Sequence, residues 1–241
     1  MSSAVPATRA LFDTAPYERE FSAQVVGLGA LGIALDQTLF YPVGGGQPCD
    51  LGHFVLPDGS LVEVLGVQRD PQDRSTIWHQ LGEGVDALAI GLQLRGKIDW
   101  ERRYQHMRMH TCLHLLCSLI DAPVTGCSIA VDKARLDFDL PESTLERDSL
   151  TLQLNELVER QLEVRARFIG EDDDQAIRSM SRTLIAPPAF AGAVRLIDIA
   201  GLDIQPCGGT HVSNTREIGQ VLCERIEKKS RHNRRVTLRF A

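Results

Sequence analysis

Nowhere in this chain does an uncharged apolar run approach the ~18 residues that a membrane-crossing helix needs. The opening, MSSAVPATRALFDTAPYERE, lacks a basic start followed by an apolar stretch, so it does not read as a secretory signal. Both absences point to a cytoplasmic protein that meets no membrane. In that compartment the six cysteines (Cys49, Cys112, Cys117, Cys127, Cys207, Cys223) are expected as thiols or metal ligands rather than disulfides. Internal repeats and low-complexity tracts are missing as well, and 241 residues suffice for one or two domains with a sizeable core. Net positive charge is also lacking. The total of −6 taken alone speaks against a nucleic-acid partner. The distribution changes that reading, because residues 216–241 carry +5 and residues 1–215 carry −11. A basic terminus on an acidic body suggests a patch for a polyanion, although charge alone fits a solvated face as well.

From about residue 20 to 98 the pattern is β. Runs at 21–26, 31–35, 52–56, 61–67 and 76–79 are short and partly alternating, with turns expected at PDGS (57–60) and GLGA (27–30). Several short strands at this spacing predict a small barrel or sandwich. The character changes after Ile98. Residues 101–120, ERRYQHMRMHTCLHLLCSLI, contain no Gly or Pro and repeat their apolar positions at a helical period. Further helices are expected at 145–163 and 171–180, the latter opening with three aspartates that suit a helix N-terminus. Strand-like runs at 134–140, 164–169, 194–199, 220–227 and 235–240 complete an α+β half, mostly antiparallel. The expected division is a β-barrel domain over 1–97, carrying a glycine-rich loop, and a second domain over 98–241.

Within DIQPCGGTHVSN (203–214), Cys207 and His211 stand four apart around two glycines. Thiolate and imidazole are the usual zinc donors, and four such groups close a tetrahedron. The predicted helix supplies the other half, since His110 and His114, four apart, share one face. His106 is also four from His110, so the pair 106/110 competes. Leu115 and Leu116 anchor the His114 end in a core, whereas His106 lies among arginines, which favours 110/114 and leaves His106 facing solvent or substrate. In HTCLH, Thr111 stands where a zinc protease places its general-base Glu, so protease chemistry is excluded. Four protein donors normally make a closed structural site, and a catalytic ion needs an open position; the spacing does not choose between them.

The second unusual stretch is DQTLFYPVGGGQPCD, at 36–50. Three consecutive glycines are entropically costly to order, and they let backbone approach a ligand closely with free N–H groups turned to water or an oxyanion. Gln47 offers one acceptor and two donors but no acid–base chemistry, which suits positioning. The same run is equally the signature of a hairpin tip. A GGQ that assists ester hydrolysis at the end of tRNA occurs in class I peptide release factors, an analogy across unrelated folds.

Taken together, HTCLHLL at 110–116, CGGTHV at 207–212 and DQTLFYPVGGGQPCDLG at 36–52 resemble the editing region of alanyl-tRNA synthetase, in the same order as in that family. RLDF at 135–138, TREIG at 215–219 and the arginines at 234–235 fit too. The resemblance spans roughly residues 20–241. The zinc motifs are shared with the threonyl-tRNA synthetase editing domain, and GGGQ points to the alanyl branch. With no room for an aminoacylation domain, the chain is similar to the free-standing alanyl-tRNA editing proteins, the AlaX family, in their medium-length form. It departs at Cys112 and Leu113, where the family often has small residues, which bears on pocket size.

That resemblance implies an N-terminal β-barrel of translation-factor type and a C-terminal α+β editing domain, with Zn2+ held by His110, His114, Cys207 and His211. It further implies hydrolysis of the ester joining serine, with glycine as a further candidate, to alanine tRNA, with no nucleotide cofactor. Gln47, Gly45 and Gly46 are expected to orient water and the ester. Thr38 is the candidate for bonding the serine hydroxyl, though it also suits a plain β-branched strand position. Lys228, Lys229, Arg231, Arg234 and Arg235 are the expected contacts to tRNA phosphates. A non-catalytic zinc-stabilised RNA-binding module, and editing of another aminoacyl-tRNA, are the competing expectations.

Overall fold

The computed structural model describes residues 5–84, 88–141, 145–170, 174–183 and 193–241. The fold is α+β, as read from the sequence, and it divides into two compact units: 1–44 with 48–103, and 45–47 with 104–241.

The first unit holds β1 (Arg9–Ala10), β2 (Glu20–Gly29), β3 (Gly32–Leu35), β4 (Gln37–Thr38), β5 (Gly52–Val55), β6 (Leu61–Arg69), β7 (Ile77–Leu81) and β8 (Gln93–Ile98). Six of these close a barrel in the order β2-β3-β7-β6-β5-β8, while β1 and β4 pair in parallel. Alternation dictates the interior. Along β6, Val62, Val64 and Val67 point inward, and along β8, Leu94 and Ile98 do so. They meet Val25, Leu35, Phe40, Phe54 and Ile77 in one core, where each large apolar side chain contributes roughly 2 kcal/mol. The barrel lets the chain fold back closely at Gly96, where a Cβ would lie 2.2 Å from the Phe21 ring.

The turn expected at 27–30 falls later. β2 continues to Gly29, which pairs with Gly32, and the ladder shifts register between Val25 and Gly27. Gly27 is there for close packing, since a Cβ would stand 2.9 Å from Val5 and 3.2 Å from Ala34. A glycine in a bulged strand and a glycine in a turn look alike in sequence.

A buried ion pair braces this unit. Arg103 and Asp50 are both fully buried, with Nε of the guanidinium 3.0 and 2.9 Å from the two carboxylate oxygens. Nη1 donates to the Pro16 carbonyl, Nη2 donates to the Leu39 carbonyl, and the Tyr41 amide donates to Asp50 Oδ2. The loop on either side of the glycines is thereby pinned at Leu39, Tyr41 and Asp50.

The second unit begins within α1 (Trp100–Leu119) and continues through β9 (Val124–Ile129), β10 (Lys133–Asp139), α2 (Arg147–Glu159), β11 (Val164–Gly170), α3 (Asp174–Met180), β12 (Ala193–Ile199), β13 (Asp203–Pro206), β14 (Val221–Lys228) and β15 (Asn233–Phe240). Among the described residues two antiparallel sheets form, β14-β15-β10-β9 and β11-β12-β13. Asp99 opens α1, its carboxylate accepting the Arg102 amide. α2 buries Leu150, Leu154, Leu157 and Val158, one stripe at helical spacing. The expected start of the third helix, 171–173, lies outside the described residues.

Candidate metal centre

α1 is a core helix. Every residue from 109 to 117 is buried, so it lacks the polar face of a surface helix. His110 and His114 therefore sit one turn apart inside the protein, each 6% exposed, where an imidazole needs partners. The partners come from the loop after β13. Arg195, on β12, holds that loop from below, its Nη1 donating to the carbonyls of Cys207 (2.9 Å) and Gly209 (2.6 Å). Gly209 passes so close to α1 that a Cβ would lie 2.1 Å from the His110 ring and 2.9 Å from Gln47 Oε1, whereas a Cβ on Gly208 would meet open space. One glycine of the pair is thus demanded by packing.

The donor atoms of His110, His114, Cys207 and His211 all lie within 4.8 Å of one another. Cys207 Sγ stands 3.5 Å from His110 Nε2 and 3.3 Å from His211 Nε2. Tetrahedral zinc, with bonds of about 2.0–2.1 Å to nitrogen and 2.3 Å to sulfur, separates such atoms by about 3.5 Å. The residues present fit that ion.

Hydrogen bonds behind the cluster fix which ring nitrogen faces it. Gln47 Oε1 accepts the Thr210 amide (3.1 Å), which settles the orientation of its carboxamide, and Nε2 donates to Thr210 Oγ1 (2.9 Å). His110 Nδ1, 2.8 Å from the same oxygen, must then carry the proton, leaving Nε2 with its lone pair toward the thiol. Thr111 Oγ1 donates to the Met107 carbonyl and so accepts from His211 Nδ1 (3.1 Å) and from the Val212 amide. His211 Nε2 is bared in the same way. His114 Nδ1 is buried 3.8 Å from Asp203 Oδ2. Partners of this kind orient metal-binding imidazoles and raise their basicity.

The protonation states suit ligation. Burial pushes the Cys207 thiol up, but His110 and His211 beside it outweigh that and hold it well below its ordinary value. Burial and the neighbouring His110 keep His211 well below its usual range, hence neutral. His114 is pulled down by burial yet held up at about 9 by Asp203 and Cys207. Deprotonated sulfur and neutral imidazole are the forms that bind a metal, so ligation by this cluster would release protons.

The structure brings Gln47 into this cluster with all four histidine and cysteine donors. Gly46 serves the protein itself. Its carbonyl accepts the Ile129 amide (2.9 Å), and at φ +84° a Cβ would lie 2.7 Å from both the carbonyl oxygen and Sγ of Cys127. Gly45, at φ +58°, has open space at its Cβ position. His106, expected to face solvent or substrate, is fully buried and does not face solvent, because α1 is covered on that side too. In the first unit, Thr38 lies on β4, also fully buried. Its hydroxyl accepts the Phe40 amide (3.0 Å) and bonds His79 Nε2 (2.9 Å). His79 Nδ1 faces the Ile33 carbonyl, so Nε2 is the acceptor and Thr38 gives it its proton. Lys228, Lys229 and Arg231 are exposed. Arg234 is 9% exposed and bonds the Ser230 and Pro141 carbonyls, while Arg235 forks onto Asp137 at 2.7 and 2.8 Å.

The sequence reading missed Arg195, Asp203, Thr111 and Thr210 as supports of the cluster. Arg195 left a trace, a lone cation in the apolar strand VRLIDI. Asp203, four residues before Cys207, left a weaker one.

Residues 194–237 match the family described as the threonyl and alanyl tRNA synthetase second additional domain. Over 95% of its length the chain is 35% identical to the alanyl-tRNA editing protein AlaX-M of Methanosarcina barkeri, covering 97% of that protein. It is 31% identical to the AlaX-M of Saccharolobus solfataricus at the same coverage. Ninety per cent of the chain also aligns, at 34% identity, with 24% of the alanine–tRNA ligase of Ignicoccus hospitalis.

Proposed function

We propose a function from the premise that this chain belongs to the AlaX-M family of alanyl-tRNA editing proteins. It acts in the cytoplasm as an aminoacyl-tRNA deacylase, hydrolysing the ester between a wrong amino acid and the 3′ ribose of alanine tRNA. The wrong amino acid is serine, with glycine as a further candidate. The need is physical. A pocket built for alanine must admit the smaller glycine, and it rejects an analogue with one added hydroxyl only weakly.

The observation that carries this reading is the His110–His114–Cys207–His211 cluster joined to the glycine-rich loop through Gln47. His110, His114, Cys207 and His211 would hold zinc, which would supply Lewis acidity to a water or to the substrate's amino group or 3′ end. Gln47 acts as a positioning residue: both lone pairs of its oxygen are engaged by His110 and Thr210, so it holds the ring and leaves one N–H for water or the ester. Gly45 and Gly46 bring that carboxamide to the cluster. Thr38 has given its proton to His79, so it would read a serine hydroxyl only as an acceptor, through its one remaining lone pair. Thr38→Val should then reduce serine turnover relative to glycine; an unchanged ratio removes Thr38 from specificity. Lys228, Lys229 and Arg231 offer exposed charge to tRNA phosphates, with Arg234 and Arg235 held behind them by their own protein partners.

The deciding experiment is deacylation of seryl-, glycyl- and alanyl-tRNA of the alanine type, before and after zinc removal. Loss of serine with alanine spared, abolished by chelation and restored by zinc, is the expected result. A second reading, a zinc-stabilised RNA-binding module, draws on the presence of four protein donors, which fill a tetrahedron. Zinc-loaded protein that binds the tRNA without cleaving it would establish that reading instead.

A further inference from the structure

The four-stranded sheet has two unlike faces. Ala134, Leu136 and Phe138 of β10 and Val236 and Leu238 of β15 are buried on one. The residues between them turn outward, and there the sheet carries a shallow groove of about 330 Å3. Five cations line it: Lys133, Arg135, Arg225, Lys229 and Arg235. Glu224 and Glu227 are the carboxylates of the lining, and Asp137 anchors Arg135 and Arg235. The patch is net positive on a chain whose total is −6.

Its layout follows from register. Arg135 and Arg225 are both paired against Thr237 of the central strand, so their backbones stand two strand spacings apart, roughly 10 Å. Ser128 and Thr237 add lining hydroxyls. Arg235 and Arg135 are held by Asp137, whereas Lys133 is exposed and Arg225 is 60% exposed, 3.8 Å from Glu227. Fixed guanidiniums beside exposed cations on a flat face suit a polyanionic backbone, which is met through phosphates and 2′-hydroxyls rather than read base by base.

The sheet edge beside the groove also touches the loop that carries Gln47. Ser128 of β9 and Ala130 just beyond it line one edge of the groove. Between them the Ile129 amide donates to the Gly46 carbonyl, and the next residue, Gln47, holds His110.

We infer that this outer sheet face seats the acceptor-stem backbone of the tRNA whose 3′ end enters the metal centre. The inference rests on the editing reading and extends the RNA contact from the C-terminal segment, whose Arg225, Lys229 and Arg235 it includes, to Lys133 and Arg135 of the neighbouring strand. The sheet supplies the phosphate contacts and the metal centre supplies the chemistry.

The test uses the full zinc-loaded chain and uncharged alanine tRNA, with Kd measured from about 50 to 200 mM salt. The double variant Lys133→Glu/Arg225→Glu should weaken binding at least tenfold and make the slope of log Kd against log salt shallower by about 1–2, near 0.9 per lost phosphate contact. Lys133→Gln/Arg225→Gln, which adds no repulsion, should show the shallower slope with a smaller loss. Arg147→Glu, on exposed α2, should change neither. Matched zinc content and urea midpoints establish that the variants are folded. Unchanged Kd and slope in both double variants, or an equal effect from Arg147→Glu, would overturn the inference. Wild-type protein that binds with this dependence yet releases no serine would sink the hydrolase reading while leaving the surface in place.

Discussion

Acidification from pH 7 to pH 5 tests the placement of one ring, His79. It is fully buried in the barrel, with its edge contacts to Phe40 and Phe54 at 5.7 and 5.5 Å and its two nitrogens engaged by Ile33 and Thr38. Burial pushes its pKa from 6.5 down to about 4. Between those values the unfolded chain binds a proton that the folded protein refuses, so stability falls as pH falls. The contribution is complete above the unfolded value of 6.5 and is lost progressively down to about 4. At pH 5 the loss relative to pH 7 is about 2 kcal/mol, and below pH 4 it reaches about 3 kcal/mol, at 1.36 kcal/mol per unit. Carboxylates titrate in the same range, so the readout is a difference. Urea unfolding is followed by tryptophan fluorescence, and both tryptophans, Trp78 and Trp100, lie in the barrel unit. The variant His79→Gln keeps a polar partner for Thr38 but cannot titrate. Wild type should lose about 2 kcal/mol more than His79→Gln over the two pH units. Parallel losses in the two proteins would mean that His79 accepts its proton in the folded state, and the argument from burial would fail.

Three further outcomes follow from the packing. Gly209→Ala should weaken zinc binding by 10–100-fold, because a methyl displaces His110 and Gln47, whereas Gly208→Ala should leave it unchanged in a competition titration against a chromogenic chelator. Gln47→Leu should lower zinc affinity by a similar factor through loss of the His110 bond, and Gln47→Glu, which restores an acceptor, should recover much of it. Asp50→Asn leaves Arg103 charged and buried, and should cost about 3–5 kcal/mol in urea unfolding; pairing Asp50→Leu with Arg103→Met should return most of that.

That His110, His114, Cys207 and His211 would come together was legible because zinc-donor chemistry restricts the residue types and the helix restricts their spacing. His110 and His114 had to share a face, and Leu115 and Leu116 marked which end of the helix was core. The barrel strands were legible from alternation, while β8 was passed over because Arg95, Gly96 and Lys97 interrupt its apolar signal. What the sequence hid were the contacts that tie distant segments together. Gln47 reads as a loop residue poised for water, and nothing local shows that Thr210, 163 positions away, closes its hydrogen bonds. Likewise Arg234 and Arg235 read as free charge. Only the pairing of β15 with β10 places Asp137 under one of them and the Pro141 carbonyl beside the other. Burial of His106 was equally invisible, since its helical neighbours include three arginines.

The two halves of the metal centre are contributed from opposite ends of the second unit, with Cys207 lying 97 positions beyond His110. An ion gripped by both acts as a cross-link across that span. A covalent tie closing a loop of about 100 residues removes about 5 kcal/mol of chain entropy from the denatured ensemble. Metal supply would therefore govern lifetime as well as chemistry. With zinc as that ion, the second unit would open more often in a zinc-starved cell, proteases would find it, and the amount of the protein would track zinc supply.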